Sequence, residues 1–371
     1  MICCLIVVLT FGLLIGCRKS APDNDVTVPV ETIPANLDTS AEPTIEPSLE
    51  PTPTAEDHEG KAQSKISGLW IDEELTQKRP YAVMLNNIKY ASPQSGTSQA
   101  AVLYEAVVEG GITRLMGIFE DFDSDRIGSA RSARHYFVSF ADEYDAIYVH
   151  YGQTKYATAK MNSLGIDNLS GLEGVGNTVF YRDKSLKAPH NAFASFKGIL
   201  AGTKEKKYRT ERKEDYENHY TFYEEDTDLS KIESASKVSK ANTVSLGFSK
   251  YTTPYFEYNA EDKLYYRFQF GQSHIDRNTG KQLAFKNIIV QFVKEWNIDK
   301  NGYQTMDIEN SSGSGYYITN GKAALITWQK NESSKKMHYY DASGDELKVN
   351  AGKTYIAIFP KDRSDKMIIS E

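Results

Sequence analysis

Gly128–His135 holds the densest concentration of potential chemistry in the chain. Arg126, Arg131, Arg134 and His135 lie within ten residues of one another, beside Ser129 and Ser132. Guanidinium groups present fixed forks of donors that match phosphate or carboxylate oxygens. A helix beginning near Ser129 would bring free backbone N–H groups and the positive end of its dipole to the same place. His150 closes a short apolar strand that runs into a glycine turn. His190 and Asn191 precede the apolar run AFASFKGIL, for which Asn191 offers an N-cap. In open α/β sheets, strand carboxyl ends and helix amino ends share one edge, and ligands bind there. By that rule Arg131, Arg134, His150 and His190 converge, and a neutral histidine among them donates to an oxyanion or serves as a general base. The competing reading pairs the arginines with carboxylates elsewhere and makes the histidines hydrogen-bonded struts.

A second set comprises Glu105, Glu109 and Arg114. Two apolar runs, AVLYEAVVE and ITRLMGIFE, flank Gly110-Gly111, the signature of a hairpin with a two-residue primed turn. That turn sets Glu105 opposite Met116 and Glu109 opposite Ile112, so Glu105, Glu109 and Arg114 share one sheet face. Paired carboxylates are the raw material of acid/base hydrolysis, and equally of a solvated ion-pair face. His274 and Asp276, at a strand end, read as a turn-stabilising pair. The loop Gly171–Gly176 is glycine-rich but follows no convincing strand of a βαβ unit. With no H-x-x-x-H or H-E-x-x-H spacing, no metal site is expected. With no P-loop or dinucleotide fingerprint, no cofactor is expected either.

These residues need elements to hold them. Tyr81–Asn87 reads as a buried strand, and YFVSFADEY as a helix. A strand spans 145–152, a helix spans Lys155–Leu164, and a short strand spans Thr178–Tyr181. Strands alternating with helices give a mixed α/β domain over 66–225. A charged connector follows at 226–240. From 241 to 371 the pattern is strand after strand, with turn signals such as Asn320-Gly321 between them, which predicts a β-rich domain of sandwich or barrel-like form. The expected class is α+β.

The opening residues concern location. A largely apolar run, Met1–Gly16, precedes Cys17, and Leu14-Ile15-Gly16-Cys17 reads as a lipobox: a signal peptide over 1–16, cleavage before Cys17, and a diacylglycerol on its thiol. The run is too short to span a bilayer comfortably. No Lys or Arg precedes it, which a truncated or misassigned start would explain. Residues 17–65 are rich in Pro, Thr, Ser and Glu, with almost no large apolar side chains, and are expected to form a disordered tether. A random coil of that length reaches roughly 40 Å. All three cysteines fall within the first 17 residues, so the body beyond the lipobox has no thiol for disulfides, nucleophilic attack or metal ligation. The net charge of −7 argues against nucleic acid as a partner.

The runs RPYAVMLNN, AVLYEAVVEGGITRLMGIF, IGSARSARHYF, VHYG and APHN are followed by GQSHIDRNTG, NIIVQF, GYYITNGKAALITW and GKTYIAIFP. In that order they resemble the YerB family of Gram-positive lipoproteins, built of two consecutive domains of unknown function. The resemblance covers about residues 70–360 and implies a surface lipoprotein, with no established reaction, cofactor or catalytic residue. The functional expectation is a lipid-anchored protein on the extracytoplasmic face of the cell membrane that binds an anionic envelope ligand, a phosphate or carboxylate. The alternatives are a wall-polymer hydrolase or transferase, with His150 or His190 as base, and a protein-interaction scaffold at the membrane surface.

Overall fold

The computed structural model describes residues 58–232, 237–331 and 335–371. The lipobox with Cys17, and the linker as far as residue 57, lie outside the described residues. Regular structure among the described residues begins before residue 66. Strand β1 (Lys61–Gln63), inside the stretch expected to be disordered through 65, pairs antiparallel with β2 (Trp70–Asp72) to form a ribbon. Buried Ser64 fixes the bend between them: its hydroxyl donates to Glu120 and accepts from the N–H groups of Ile66 and Ser67.

Further along run β3 (Tyr81–Asn87), β4 (Val102–Val107), β5 (Thr113–Phe119), helix α1 (His135–Asp142), β6 (Ile147–His150), helix α2 (Lys155–Leu164), β7 (Asn168–Ser170) and helix α3 (Phe196–Glu205). Then come β8 (Thr243–Leu246), β9 (Tyr255–Asn259), β10 (Leu264–Gln269), β11 (Asn287–Val293), β12 (Ser311–Thr319), β13 (Lys322–Lys330), β14 (His338–Tyr340), β15 (Thr354–Pro360) and β16 (Met367–Ser370). Helix α2 shows why the local expectation holds there. Thr154 caps its start by accepting from the Ala157 N–H at 3.1 Å, and Gly165 ends it in the left-handed region at φ 64°. The strand expected at Thr178–Tyr181 is instead a helical turn over Gly176–Val179 followed by a strand over Phe180–Arg182.

Eleven strands form the principal sheet, in the order Ser239–Lys240, β13, β12, β11, β15, β4, β5, β3, β6, β7, with β14 also paired to β13. The strands β11, β15 and β4 run parallel, as do β3, β6 and β7. Because β5 is antiparallel to both β4 and β3, all six point the same way. Their carboxyl ends therefore make one edge. The α/β and β-rich stretches of sequence do not close separately, since β15 pairs with β4 and sets Ile356 opposite Tyr104. The connector takes part as well: Leu229 is buried, Ile232 packs against the core, and Ser239–Lys240 extends the sheet.

The fold is α+β, with both faces of the principal sheet covered. On one face Phe137, Phe140 and Met161 of α1 and α2 pack among Met84, Tyr104 and Ile356. On the other, a six-stranded sheet containing β8, β9, β10 and β16 brings Val244, Phe256 and Tyr265 against Ile288, Tyr355 and Phe359. This second layer is the sandwich-like part of the β-rich half.

The β4–β5 hairpin departs from its expected register. Both glycines take left-handed φ, 75° and 73°, but the ladder closes one residue earlier, with the Val108 N–H donating to the Ile112 carbonyl at 2.8 Å. The loop thus has three residues, Glu109-Gly110-Gly111, and Glu109 leaves the ladder for Arg134. One extra loop residue shifts the pairing by one, so Glu105 faces Leu115 and Ala106 faces Arg114. Glu105 and Arg114 end on opposite faces, and neither face is solvated, because every residue of both strands is buried.

Candidate site at the carboxyl edge of the sheet

Helix α1 starts at His135, not near Ser129. Residues 129–134 are drawn out straight by bonds to the ends of neighbouring strands. The Asn86 N–H donates to the Ser129 carbonyl at 2.9 Å, the Arg131 N–H to Met84 at 3.0 Å, and the Ala133 N–H to Gly152 at 2.9 Å. The expected helix amino end at Ser129 and Ser132 is therefore absent, and Arg134, at the N-cap position, makes no side-chain cap.

The arginines gather nonetheless, in different roles. Arg134 meets Glu109 through its Nε, with both carboxylate oxygens at 2.8 Å, and also donates to the Ala133 carbonyl at 2.9 Å. It is the strut of the competing reading. Arg114 is buried and donates to the Ser132 carbonyl at 2.5 Å. Burial, then the charges of Arg134 and Arg131, pull its guanidinium down to about 9. Arg131, partly buried, donates to the Pro189 carbonyl at 3.1 Å, and burial and Arg134 lower its pKa too. No ion pair to Arg131 or Arg114 occurs among the described residues. Of these three guanidinium groups only Arg134 is paired with the Glu109 carboxylate; Arg114 feels its charge at a distance.

His190 joins Arg131 here. Asn86 Nδ2 lies 2.9 Å from His190 Nδ1 and 3.3 Å from the Ser129 hydroxyl, and the exposed Tyr90 ring meets the imidazole edge-on at 5.6 Å. Burial and then Arg131 lower the His190 pKa, so the ring is neutral near pH 7. With Asn86 donating to Nδ1, the remaining proton sits on Nε2 as a donor.

The other expected members are placed elsewhere. His150 is fully buried, its ring nitrogens 2.9 Å from the Gly152 carbonyl and 3.3 Å from Asn168 Oδ1, so it does not meet His190. Asn191 is no N-cap. Its Oδ1 accepts from Arg182 at 2.7 Å and its Nδ2 donates to the Asp183 carbonyl at 3.1 Å, which ties down the loop before a strand at Ala192–Ala194. Ser195 caps α3 instead. His135 pairs with the Thr305 hydroxyl at 2.8 Å, and burial, then Lys160, pushes it down to about 4. The Ser132 hydroxyl donates to the Tyr151 carbonyl at 3.2 Å.

Glu105 belongs to a separate, interior network. Its carboxylate accepts from Arg267 at 2.6 Å, Tyr355 at 2.7 Å, Asn87 at 2.9 Å and Thr113 at 2.6 Å. Arg267 also contacts His274, whose Nε2 lies 2.5 Å from Gln94 Oε1, while Gln94 Nε2 donates to the Asn86 carbonyl at 2.7 Å. Polar contacts therefore lead from the buried Glu105–Arg267 pair to the backbone of the residue that holds His190. Asn86, Gln94 and Arg267 escape a search for clustered charges. Arg267 had one visible signal, as it falls on the inward face of β10 with Tyr265 and Gln269. Asp276 is held apart from His274, accepting from the Gly96 and Ser98 N–H groups at 3.0 and 2.8 Å. Among the described residues, no group of three His, Cys, Asp or Glu side chains could hold a metal ion.

Two family models match the chain, each described as a domain of a protein of unknown function (DUF3048): the N-terminal domain over residues 66–209 and the C-terminal domain over residues 244–356. A Bacillus subtilis (strain 168) relative named "Putative lipoprotein YerB" is 32% identical over 303 residues, 81% of this chain and 87% of the relative. The chain belongs to the YerB family. The crystal structure of the Bacillus subtilis YerB protein has the same fold, with a TM-score of 0.74 and 29% identity over 84% of this chain and all of that one. The two YerB-family stretches meet in the principal sheet, where β4 from the first lies beside β15, which begins in the second. Neither YerB-family description states a reaction. No helix among the described residues is long and apolar enough to cross a membrane.

Proposed function

We propose that this protein is an envelope lipoprotein, anchored through Cys17, that binds the phosphate or carboxylate of an envelope component at the carboxyl edge of its principal sheet. The observation that carries the reading is Arg131: a partly buried guanidinium with no carboxylate partner among the described residues, flanked by two further arginines and a donor imidazole. Holding like charges together costs stability in the empty protein, and an anion relieves that cost. His190 acts as a neutral donor, with Asn86 setting its tautomer. Its Nδ1 is already engaged, which favours binding over proton abstraction.

Arg131→Ala should weaken inorganic phosphate binding by about 1.5–3 kcal/mol, the value of a charge-assisted hydrogen bond. The melting temperature without ligand should hardly move, because the guanidinium's one hydrogen bond is offset by relief of repulsion from Arg134. Calorimetric titration with phosphate and with acetate, beside thermal melts, measures both quantities. Phosphate affinity equal to that of the unaltered protein would refute the site. The anchor is tested separately: Cys17→Ser should abolish lipid labelling and move the protein out of the membrane fraction. Unchanged labelling would exclude Cys17 as the attachment point.

A further inference from the structure

A cleft of about 850 Å³ opens at the opposite, amino edge of the sheet, where Ala100, Phe285 and Lys353 lead into β4, β11 and β15. Its outer wall is the β1–β2 ribbon. The register of that ribbon sets Gln63 opposite Trp70, so both side chains share the face that borders the cleft, while Ile71 points into the body. The Trp70 indole is 45% exposed, and the His58 ring stacks on it at 3.8 Å and 10°. An indole kept in the open with its plane fixed is unusual for a side chain that gains so much from burial. Such a ring is suited to receive the C–H face of a sugar.

The remaining walls fit the same kind of ligand. Leu264, Leu283 and Phe285 give an apolar floor. Gln282 spends its Nε2 on the Arg267 carbonyl at 2.8 Å, which leaves its Oε1 as an acceptor. As many carboxylates as lysines line the cleft, and Asp226 already takes Lys263 at 2.8 Å and Lys286 at 2.7 Å. The balance of charge disfavours a polyanion and sets this cleft apart from the arginine edge. Its volume is that of an ordinary ligand site.

We infer that the cleft binds a neutral, N-acetylated glycan, with a sugar ring stacked on Trp70, acetamido groups hydrogen-bonded to Gln63 and Gln282, and acetyl methyls on the apolar floor. Acetamido groups carry both a donor and an acceptor, which suits the glutamine amides. The test is calorimetric titration of the full chain with the tetramer of N-acetylglucosamine. Saturable binding is expected, weakened about tenfold or more in Trp70→Ala and much less in Trp70→Phe, which keeps an aromatic face. The inference is overturned if the tetramer does not saturate, if Trp70→Ala binds it as well as the unaltered protein, or if the Ala and Phe variants lose affinity equally.

Discussion

Glu105→Ala should lower the unfolding free energy by about 3–5 kcal/mol, the loss typical of a buried ion pair stripped of one partner. Glu105 and Arg267 are both fully buried, and their 2.6 Å contact is the centre of the interior polar network. Without the carboxylate, Arg267 keeps its charge in a dry interior beside His274, and the Tyr355 and Asn87 donors lose their acceptor. The double variant Glu105→Ala/Arg267→Met should recover much of the loss, because no uncompensated charge then remains. Denaturant unfolding of the unaltered protein and the two variants gives the numbers. A single-variant loss below about 1 kcal/mol would mean that water reaches the pair.

The second large effect depends on pH. Glu295 stands at the base of the hairpin that joins Glu295–Asn297 to Gln304–Met306. Burial, then the charge of Asp362, raises its carboxyl from the ordinary 4.5 to about 7. The folded chain therefore holds this proton to a higher pH than the unfolded chain does. The resulting penalty is absent below about pH 4.5, grows as pH rises, and is complete above about 7. A displacement of that size corresponds to about 3 kcal/mol. Glu295→Gln, which cannot ionise, should be stabilising by about that amount at pH 8 and nearly neutral at pH 4. Melts of both proteins across this range decide it, and a difference that stays flat with pH would contradict the assignment. The same hairpin presents Thr305 to His135 at 2.8 Å, so its tightness bears on the arginine edge.

Elements governed by local signals were legible in the chain. Helix α2 has a threonine cap and a glycine stop, β3 is a bounded apolar run, and the strands beyond 241 alternate between punctuating turns. Arg131 and His190 lie near each other, but not at the helix amino ends the strand-edge rule supposed: Arg131 sits in an extended segment before α1, and His190 in a loop before the strand Ala192–Ala194. Most of the errors come from partners distant in sequence. Residues 129–134 are held straight by β3 and by Gly152, which overrides their capacity to open a helix. Glu105 looks like a surface residue until β15, some 250 residues later, is laid beside it. His150 turned inward because Asn168 and the Gly152 carbonyl engage its ring. The hairpin register turned on a single loop residue that the Gly-Gly pair does not determine.

The position of β15 has a consequence for how the molecule comes into being. Residues 354–360 fill the gap between β11 and β4, near the middle of the sheet. A polypeptide that emerges amino end first must hold β4 open, with its ladder groups unpaired on one side, until almost the whole length has appeared. Pairing across so wide a sequence separation is slow to form. The nascent protein therefore stays unsealed and pliable for most of its synthesis, and the principal sheet locks only as the last of its strands, β15, arrives.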